Sequence, residues 1–192
     1  MPRSGLTTAR VAEAAAELAD EVGLDAVTLS ALARRFDVAA PSLYSHVRST
    51  ADVRVRVALL ALDETADRVA SALAGVSRRE AIAAVGQVWR AYAVEHPGRY
   101  AATRLPLDAD TAAASAGPRH ADLSRSSLRG YALADHDVTH AVRLVGATFH
   151  GYAALDAAGA FGHGGRGVPT SDETWERVVD GLHTLLTSWE DR

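Results

Sequence analysis

The stretch that most narrows what this chain can fold into is TLSALARRFDVAAPSLYSHV, residues 28 to 47. It reads as two short helices joined by a tight turn, the layout of a helix-turn-helix. Leu29, Leu32, Ala33 and Phe36 fall at helical spacing and bury one face, while Thr28 offers an oxygen to the unpaired amides of the first turn. Asp37-Val38 breaks the period. Pro41 suits the first turn of the second helix, where an N–H has no partner anyway, and Leu43 and Val47, four apart, return to the core. Ser42, Tyr44, Ser45 and His46 are left facing outward.

A net charge of −4 argues at first against a polyphosphate partner. Its distribution argues the other way. Between Thr28 and Arg56 stand Arg34, Arg35, Arg48, Arg54 and Arg56 against Asp37 and Asp52 only, so positive charge gathers around the motif. The 192 residues suffice for a substantial core and one or two domains. Alanine is abundant and strand-type alternation is nowhere sustained, so the expected class is all-α: a three-helix N-terminal helix-turn-helix domain followed by a helical bundle. The chain has no cysteine, which excludes disulfides, a thiolate nucleophile and sulfur-ligated metal and suits a reducing cytoplasm. No apolar run approaches the ~18 residues of a membrane span, and no signal peptide is evident, so neither a membrane nor export is expected.

Val11, Ala14, Ala15, Leu18, Ala19 and Val22 make an amphipathic helix ending at Gly23, read as a left-handed cap. Arg3 is read as part of a frayed terminus in preference to a minor-groove arm. Ser49 to Asp52 opens a long helix of about 25 residues. On it Val55, Leu59, Leu62, Ala66, Val69 and Leu73 form one stripe, and Val53, Val57 and Leu60 another. Two stripes require two neighbours, which makes this helix the candidate lever between an N-terminal domain, residues 1–48, and a C-terminal one, residues 49–192. A further helix from Ser77 carries Ile82, Val85, Trp89 and Tyr92 inward and ends at His96-Pro97-Gly98. Residues 105–118 read as a loop and 119–133 as a helix. Asp135 or Asp137 caps a helix reaching about Phe161, whose second face, Leu144, Thr148, Gly151, Leu155 and Ala158, is rich in small residues. Thr170 to Glu173 is a capping box before the stripe Trp175, Val178, Val179, Leu182, Leu185, Leu186 and Trp189. Two C-terminal helices with surplus apolar faces point to a four-helix dimer interface.

Gly23, Thr28-Leu29, Leu32-Ala33, Val38 and Pro41-Ser42-Leu43-Tyr44-Ser45-His46-Val47 together resemble the N-terminal third of the tetracycline-repressor (TetR) family of bacterial transcriptional regulators. The resemblance implies a homodimer that reads a palindromic double-stranded DNA operator and is released by a small-molecule effector held in the C-terminal helices. By position, Ala40, Pro41 and Ser42 would face base edges, while Thr28, Tyr44, His46 and Arg48 would meet phosphates, with Ser45 beside them. Asp37 stands where the family usually has Gly, and Ala39 where it has a capping Ser or acid, which weakens the second helix by about 1 kcal/mol. Thr50 replaces a frequent phosphate-reaching Lys, and Ala40 is too short to hydrogen-bond a base. His96-Pro97-Gly98-Arg99-Tyr100 and Phe149-His150-Gly151 look like the subgroup named for a Trp, a His and a Gly, although Val145 and Gly146 stand where its upstream Trp is usual. On the same analogy Trp89, Tyr92, Tyr100, Phe149 and Tyr152 would line an effector pocket, with Arg104 and His150 as its polar groups. Plain core packing is the commoner fate of aromatics at this spacing.

The competing reading is a helical metal-binding protein or enzyme built around His136, His140 and His150. His136 and His140 are four apart, but no third ligand is evident and a helix start is the default for such residues. The run GAFGHGGRG, residues 159–167, follows a helix instead of a strand and lacks a Gly-Lys-Ser/Thr ending, so it reads as a connector and not a phosphate cradle. No catalytic triad order, carboxylate pair or nucleotide fingerprint stands out, so an enzyme is not expected and no cofactor is called for.

Overall fold

The computed structural model describes residues 6–162 and 167–190. All regular structure among them is helical. The α-helices are α1 (Thr8–Val22), α2 (Leu29–Phe36), α3 (Thr50–Ala72), α4 (Arg78–Glu95), α5 (Pro97–Ala102), α6 (Ala109–Ala114), α7 (Gly117–Ser127), α8 (Asp135–Ala157) and α9 (Ser171–Thr187). The chain divides into two compact units, Met1–Glu64 with Glu95–Ala116, and Thr65–Val94 with Gly117–Arg192. Arg3 and the middle of the glycine-rich connector, residues 163–166, lie outside the described residues.

In the first unit the Thr7 hydroxyl caps α1 by accepting the Arg10 amide at 3.2 Å. α1 buries Val11, Ala12, Ala14, Ala15, Ala16 and Ala19, a face small enough for close approach of its neighbours. Gly23 follows with φ 87 and ψ 150, so the expected left-handed cap is corrected to a more extended positive-φ conformation that suits glycine alone. A 3₁₀ turn, Leu24–Ala26, leads to α2, where the Thr28 hydroxyl accepts the Ala31 amide at 3.1 Å. Asp37 ends α2 in the left-handed region, φ 53 and ψ 49, and lets the Val38 amide return to the Ala33 carbonyl at 3.0 Å. Asp thus does the work of the more usual Gly.

The second helix of the motif is a six-residue 3₁₀ segment, Ala40–Ser45, and not an α-helix. Ala39 has no side-chain oxygen to cap its amides, and Pro41 removes an N–H donor. The chain tightens to bonds such as Ser42 N–H to Ala39 O, 2.9 Å, and His46 N–H to Leu43 O, 2.9 Å. Leu43 and Val47 are buried as expected. Next, the Ser49 hydroxyl accepts the Asp52 amide at 3.1 Å and the Asp52 carboxylate accepts the Arg48 amide at 2.9 Å, a reciprocal cap for α3. The stripe of Val53 and Val57 then closes the same core as Val11, Val27, Leu32 and Leu43.

The segment 95–116 adds two short helices to this unit. The Asp20 carboxylate on α1 accepts the Arg99 amide at 2.9 Å and lies 3.0 Å from His96 Nδ1, while the Arg99 guanidinium pairs with Asp20 at 3.1 Å and Glu64 at 3.0 Å. These contacts fasten α5 to α1 and α3. The stretch expected to be a loop forms α6, because Asp108 accepts both the Thr111 amide, 2.9 Å, and its hydroxyl, 2.7 Å.

In the second unit Ile82, Val145, Phe149, Tyr152, Trp175, Val179, Leu182 and Leu186 share one core. α7 begins and ends earlier than the expected 119–133. α8 is capped by the Ala134 backbone with no side-chain bond, so neither Asp135 nor Asp137 is the cap; both lie in the first turn, where they complement the helix dipole. It stops at Ala157, short of Phe161, as Gly159 takes φ 73. The Thr170–Glu173 capping box forms as expected, with bonds of 3.1 and 2.7 Å.

Candidate nucleic-acid interface and interior cavity

The motif's outward residues rise from a buried base. Leu29, Leu32, Ala33, Leu43 and Val47 anchor the two limbs, and Pro41, Ser42, Tyr44, Ser45 and Arg48 are exposed, Tyr44 at 60 %. Ala40 and His46 are partly buried. Some of these groups are already engaged: the Thr28 hydroxyl caps α2, the Ser45 hydroxyl donates to the Ser42 carbonyl at 2.9 Å, and the His46 carbonyl accepts from the Thr8 hydroxyl at 3.1 Å. The Ser42 and Tyr44 side chains project from a fixed turn, the arrangement needed to meet a groove without paying to order a loop.

The arginines divide into two sets. Arg35 binds Glu17 and Glu21 of α1, each at 2.8 Å; Arg54 donates to the Asp25 carbonyl at 2.6 Å; and Arg56 lies 3.3 Å from Asp52. Arg34 and Arg48 are exposed, and neither guanidinium forms a salt bridge among the described residues, although Arg48 lies near enough to Asp52 to act on it electrostatically. Burial alone would raise the Asp52 pKa, but the Arg48 amide and Arg56 guanidinium outweigh it and hold the carboxyl below its ordinary value. Hydrogen bonding from Arg35 likewise lowers Glu21. Much of the local positive excess is therefore spent on holding α1, α2 and α3 together, which a charge count cannot reveal.

The second unit contains a cavity of about 120 Å³ lined by Val69, Val85, Trp89, His120, Ser124, Ser127, Leu128, Val142, Val145, Gly146, Phe149 and His150. The Trp89 indole lies between two imidazoles, with ring centroids 4.5 Å from His150 and 5.3 Å from His120. His120 Nε2 is 3.2 Å from the Thr65 hydroxyl.

Of the pocket residues expected from sequence, this cavity gathers Trp89, Phe149 and His150. Tyr152 is turned away into a polar cluster: its hydroxyl donates to the Ser171 carbonyl at 2.6 Å, beside Arg90 and Asp156, which pair at 2.6 Å. Tyr92 is fully buried beneath Arg68, whose guanidinium sits 5.0 Å from its ring centroid. Tyr100 and Arg104 belong to the first unit, where the guanidinium covers the ring at 4.6 Å, and burial raises the Tyr100 pKa. His120, Ser124 and Ser127 lie on α7, expected as a helix but too polar to mark an inward face; the i, i+4 pair His120 and Ser124 was the available signal.

His136 is largely exposed at the start of α8, 3.4 Å from Asp137, and His140 is exposed, whereas His150 packs on Trp89. These three do not assemble into a ligand set, and no group of three or more candidate metal ligands forms among the described residues. No helix of the described residues is long and apolar enough to cross a membrane.

An exposed turn on a small helical core, joined to longer helices with an internal cavity, is the architecture of a helix-turn-helix regulator with a separate ligand-binding part. Comparison with known proteins narrows this. Residues 11–57 match the family model for bacterial regulatory proteins of the tetR family, and residues 82–182 match the tetracyclin repressor-like C-terminal domain. An uncharacterized HTH-type transcriptional regulator of Mycobacterium tuberculosis is 32 % identical over 156 residues, covering 80 % of this chain and 72 % of that protein. YobS of Bacillus subtilis, also an uncharacterized HTH-type transcriptional regulator, is 31 % identical over 162 residues, covering 83 % and 84 %. The chain belongs to the TetR family of transcriptional regulators. Its fold matches the Streptomyces coelicolor TetR regulator SCO7222 with a TM-score of 0.74 at 19 % identity, covering 97 % of this chain and all of that one. It also matches a TetR variant from Acinetobacter baumannii in complex with minocycline, with a TM-score of 0.68 at 23 % identity over 96 % and 98 % of the two chains.

Proposed function

We propose that the chain is a cytoplasmic, homodimeric, ligand-responsive repressor, not an enzyme, that leaves a palindromic operator when a small molecule occupies the second unit. The observation that carries this reading is the exposed Pro41-Ser42-Tyr44 turn standing on the fully buried Leu43. Residues 1–48 serve as the DNA-binding domain and 49–192 as the ligand-binding and dimerisation domain. Ala40 and Pro41 present methyl and methylene groups suited to thymine methyls, Ser42 offers one hydrogen bond, and Thr28, Tyr44, Ser45, His46 and Arg48 meet the backbone. With short readers, half-site spacing and DNA shape carry much of the specificity.

For the dimer, α8 leaves Gly151 and Leu155 exposed and α9 leaves Gly181 and Leu185 exposed, Leu155 at 51 % and Leu185 at 40 %. Glycines allow close helix approach, and the leucines supply apolar area for a two-fold contact. The C-terminal domain resembles the Trp-His-Gly subgroup in its His150-Gly151 step, and Trp89 of α4 packs beside His150 with ring centroids 4.5 Å apart. Effector binding reaches the reading head through three covalent routes, the continuous α3, the α4–α5 junction near His96 and the α6–α7 junction at Ala116–Gly117.

Selection from random duplex DNA tests the reading. The expected result is enrichment of a two-fold symmetric site, bound by a dimer that Leu155→Arg with Leu185→Arg reduces to monomer. Recovery of no enriched site by a folded dimer would overturn it.

A further inference from the structure

We propose that the effector enters the cavity with an apolar body of a single ring, and that Gly146 of α8 is the residue that sets this limit. The inference rests on the ligand-responsive reading and adds the size class of the ligand and the residue that determines it.

The glycine comes first. Val142, Val145, Gly146, Phe149 and His150 of α8 all line the cavity. Their spacing places them on one helix face, with Gly146 at its centre, one turn from Val142 and one from His150. A side chain at position 146 would therefore point where its neighbours point, into the cavity.

Neither backbone nor packing requires a glycine there. Gly146 lies inside α8 and its φ is not positive, a conformation open to any residue, and a glycine within a helix weakens it. A β-carbon built on Gly146 meets nothing within 4 Å, whereas one built on Gly86 of α4 would lie 2.7 Å from Trp175 and 2.9 Å from Phe149. Gly86 makes room for the protein's own rings. Gly146 leaves room that no described residue fills.

Size follows. A volume of about 120 Å³ is well below the ~300 Å³ at which drug-sized pockets begin. It is close to the roughly 150 Å³ engineered cavity that takes up benzene. One six-membered ring fits that scale, whereas two fused rings do not. Across from α8, Val69 of α3, Val85 and Trp89 of α4 and Leu128 of α7 supply apolar surface, so burial of the ring drives entry.

The polar groups of the wall are engaged within the protein. The Ser124 hydroxyl donates to the His120 carbonyl at 2.8 Å, the Ser127 hydroxyl donates to the Ser124 carbonyl at 2.8 Å, and His120 Nε2 lies 3.2 Å from the Thr65 hydroxyl. The limit set at Gly146 is steric, so it holds whichever charge the imidazoles carry.

The test uses the full-length protein and three matched pairs of probes: benzyl alcohol with naphthalenemethanol, benzoate with naphthoate, and benzylamine with naphthylmethylamine. Binding is read by calorimetry and Trp fluorescence, with release of the selected operator measured in parallel. Within a pair the polar group is the same, so its contribution, and with it the charge of the imidazoles, cancels. Hydrophobic transfer alone favours the larger ring system, so a preference for the smaller one reports the size limit. The expected result is a single-ring probe that binds saturably and at least tenfold tighter than its naphthyl partner. Gly146→Leu should lose that binding while its unfolding midpoint stays at or above the wild-type value, because leucine fills the void and favours the helix. Val142→Ala should widen the cavity and erase the preference. Naphthyl probes that bind wild type as tightly as their partners, or a preference unchanged in Val142→Ala, overturn the size class. Undiminished binding by Gly146→Leu, or a lowered midpoint, overturns the role of Gly146. Failure of every probe to bind overturns the inference and leaves operator recognition intact. Single-ring binding that does not release the operator keeps the size class and overturns the ligand-responsive reading instead.

Discussion

Gly98 of α5 lies directly against the backbone of Ala19 in α1, so that a β-carbon at position 98 would overlap the Ala19 carbonyl group. The neighbours of that contact are equally fixed, because Asp20 of α1 is bonded to both His96 and Arg99 on either side of the glycine. Gly98→Ala must therefore move backbone and not a side-chain tip. Overpacking of this kind costs about 3 kcal/mol, and more if α5 is expelled from α1. The measurement is chemical denaturation of wild type and Gly98→Ala; a change under about 0.5 kcal/mol would show that α5 does not pack as described.

Asp156 provides the pH test. Burial alone would raise its pKa, but the Ser171 hydroxyl and the Arg90 guanidinium outweigh that and hold the carboxyl below its ordinary value. A depressed carboxylate pKa stabilises the fold above the unfolded value of about 4, and that stabilisation is lost as pH falls through the folded value. Asp156→Asn should cost about 2 kcal/mol at pH 7, the scale of a hydrogen bond to a charged group, and progressively less below pH 4. Urea unfolding across pH 3 to 7 checks it, and a pH-independent difference would remove the Arg90–Asp156 pair as its cause.

Arg48 and Ser42 separate positioning from reading. The Arg48 guanidinium is exposed and forms no salt bridge among the described residues, so its neutralisation should lower affinity for all duplexes alike and reduce the slope of log affinity against log salt by about 1. Ser42→Ala should instead relax preference at one base position with little change in the salt slope. Anisotropy titrations over a salt series distinguish the two, and identical behaviour of both variants would contradict the division of labour.

The motif's geometry was legible because its constraints are local. Leu29, Leu32, Leu43 and Val47 mark a buried face by spacing alone, and Thr28 and Thr170 cap by a three-residue reach. The 3₁₀ form of Ala40–Ser45 needed one more step, since the weak cap at Ala39 was visible but its effect on winding was not carried through. Effects across long sequence separations were hidden. Nothing local in Arg35 announces Glu17 and Glu21, and nothing local in Tyr152 sends its hydroxyl to Ser171 and away from the cavity. The cavity itself depends on α7, which was legible as a helix, but its weak apolar stripe did not show that His120 stands beside Trp89.

The most direct measurement varies the separation of two half-sites taken from the selected operator and records affinity at low salt with the dimer confirmed. Two reading heads on a two-fold dimer require half-sites about 34 to 36 Å apart, one helical turn, or a multiple of it. Binding should be tight at that spacing, fall at least tenfold when half a turn is inserted, and collapse for wild-type spacing in the Tyr44→Ala, His46→Ala double variant. Affinity independent of spacing, or undiminished in the double variant, would contradict operator reading by the 40–48 turn.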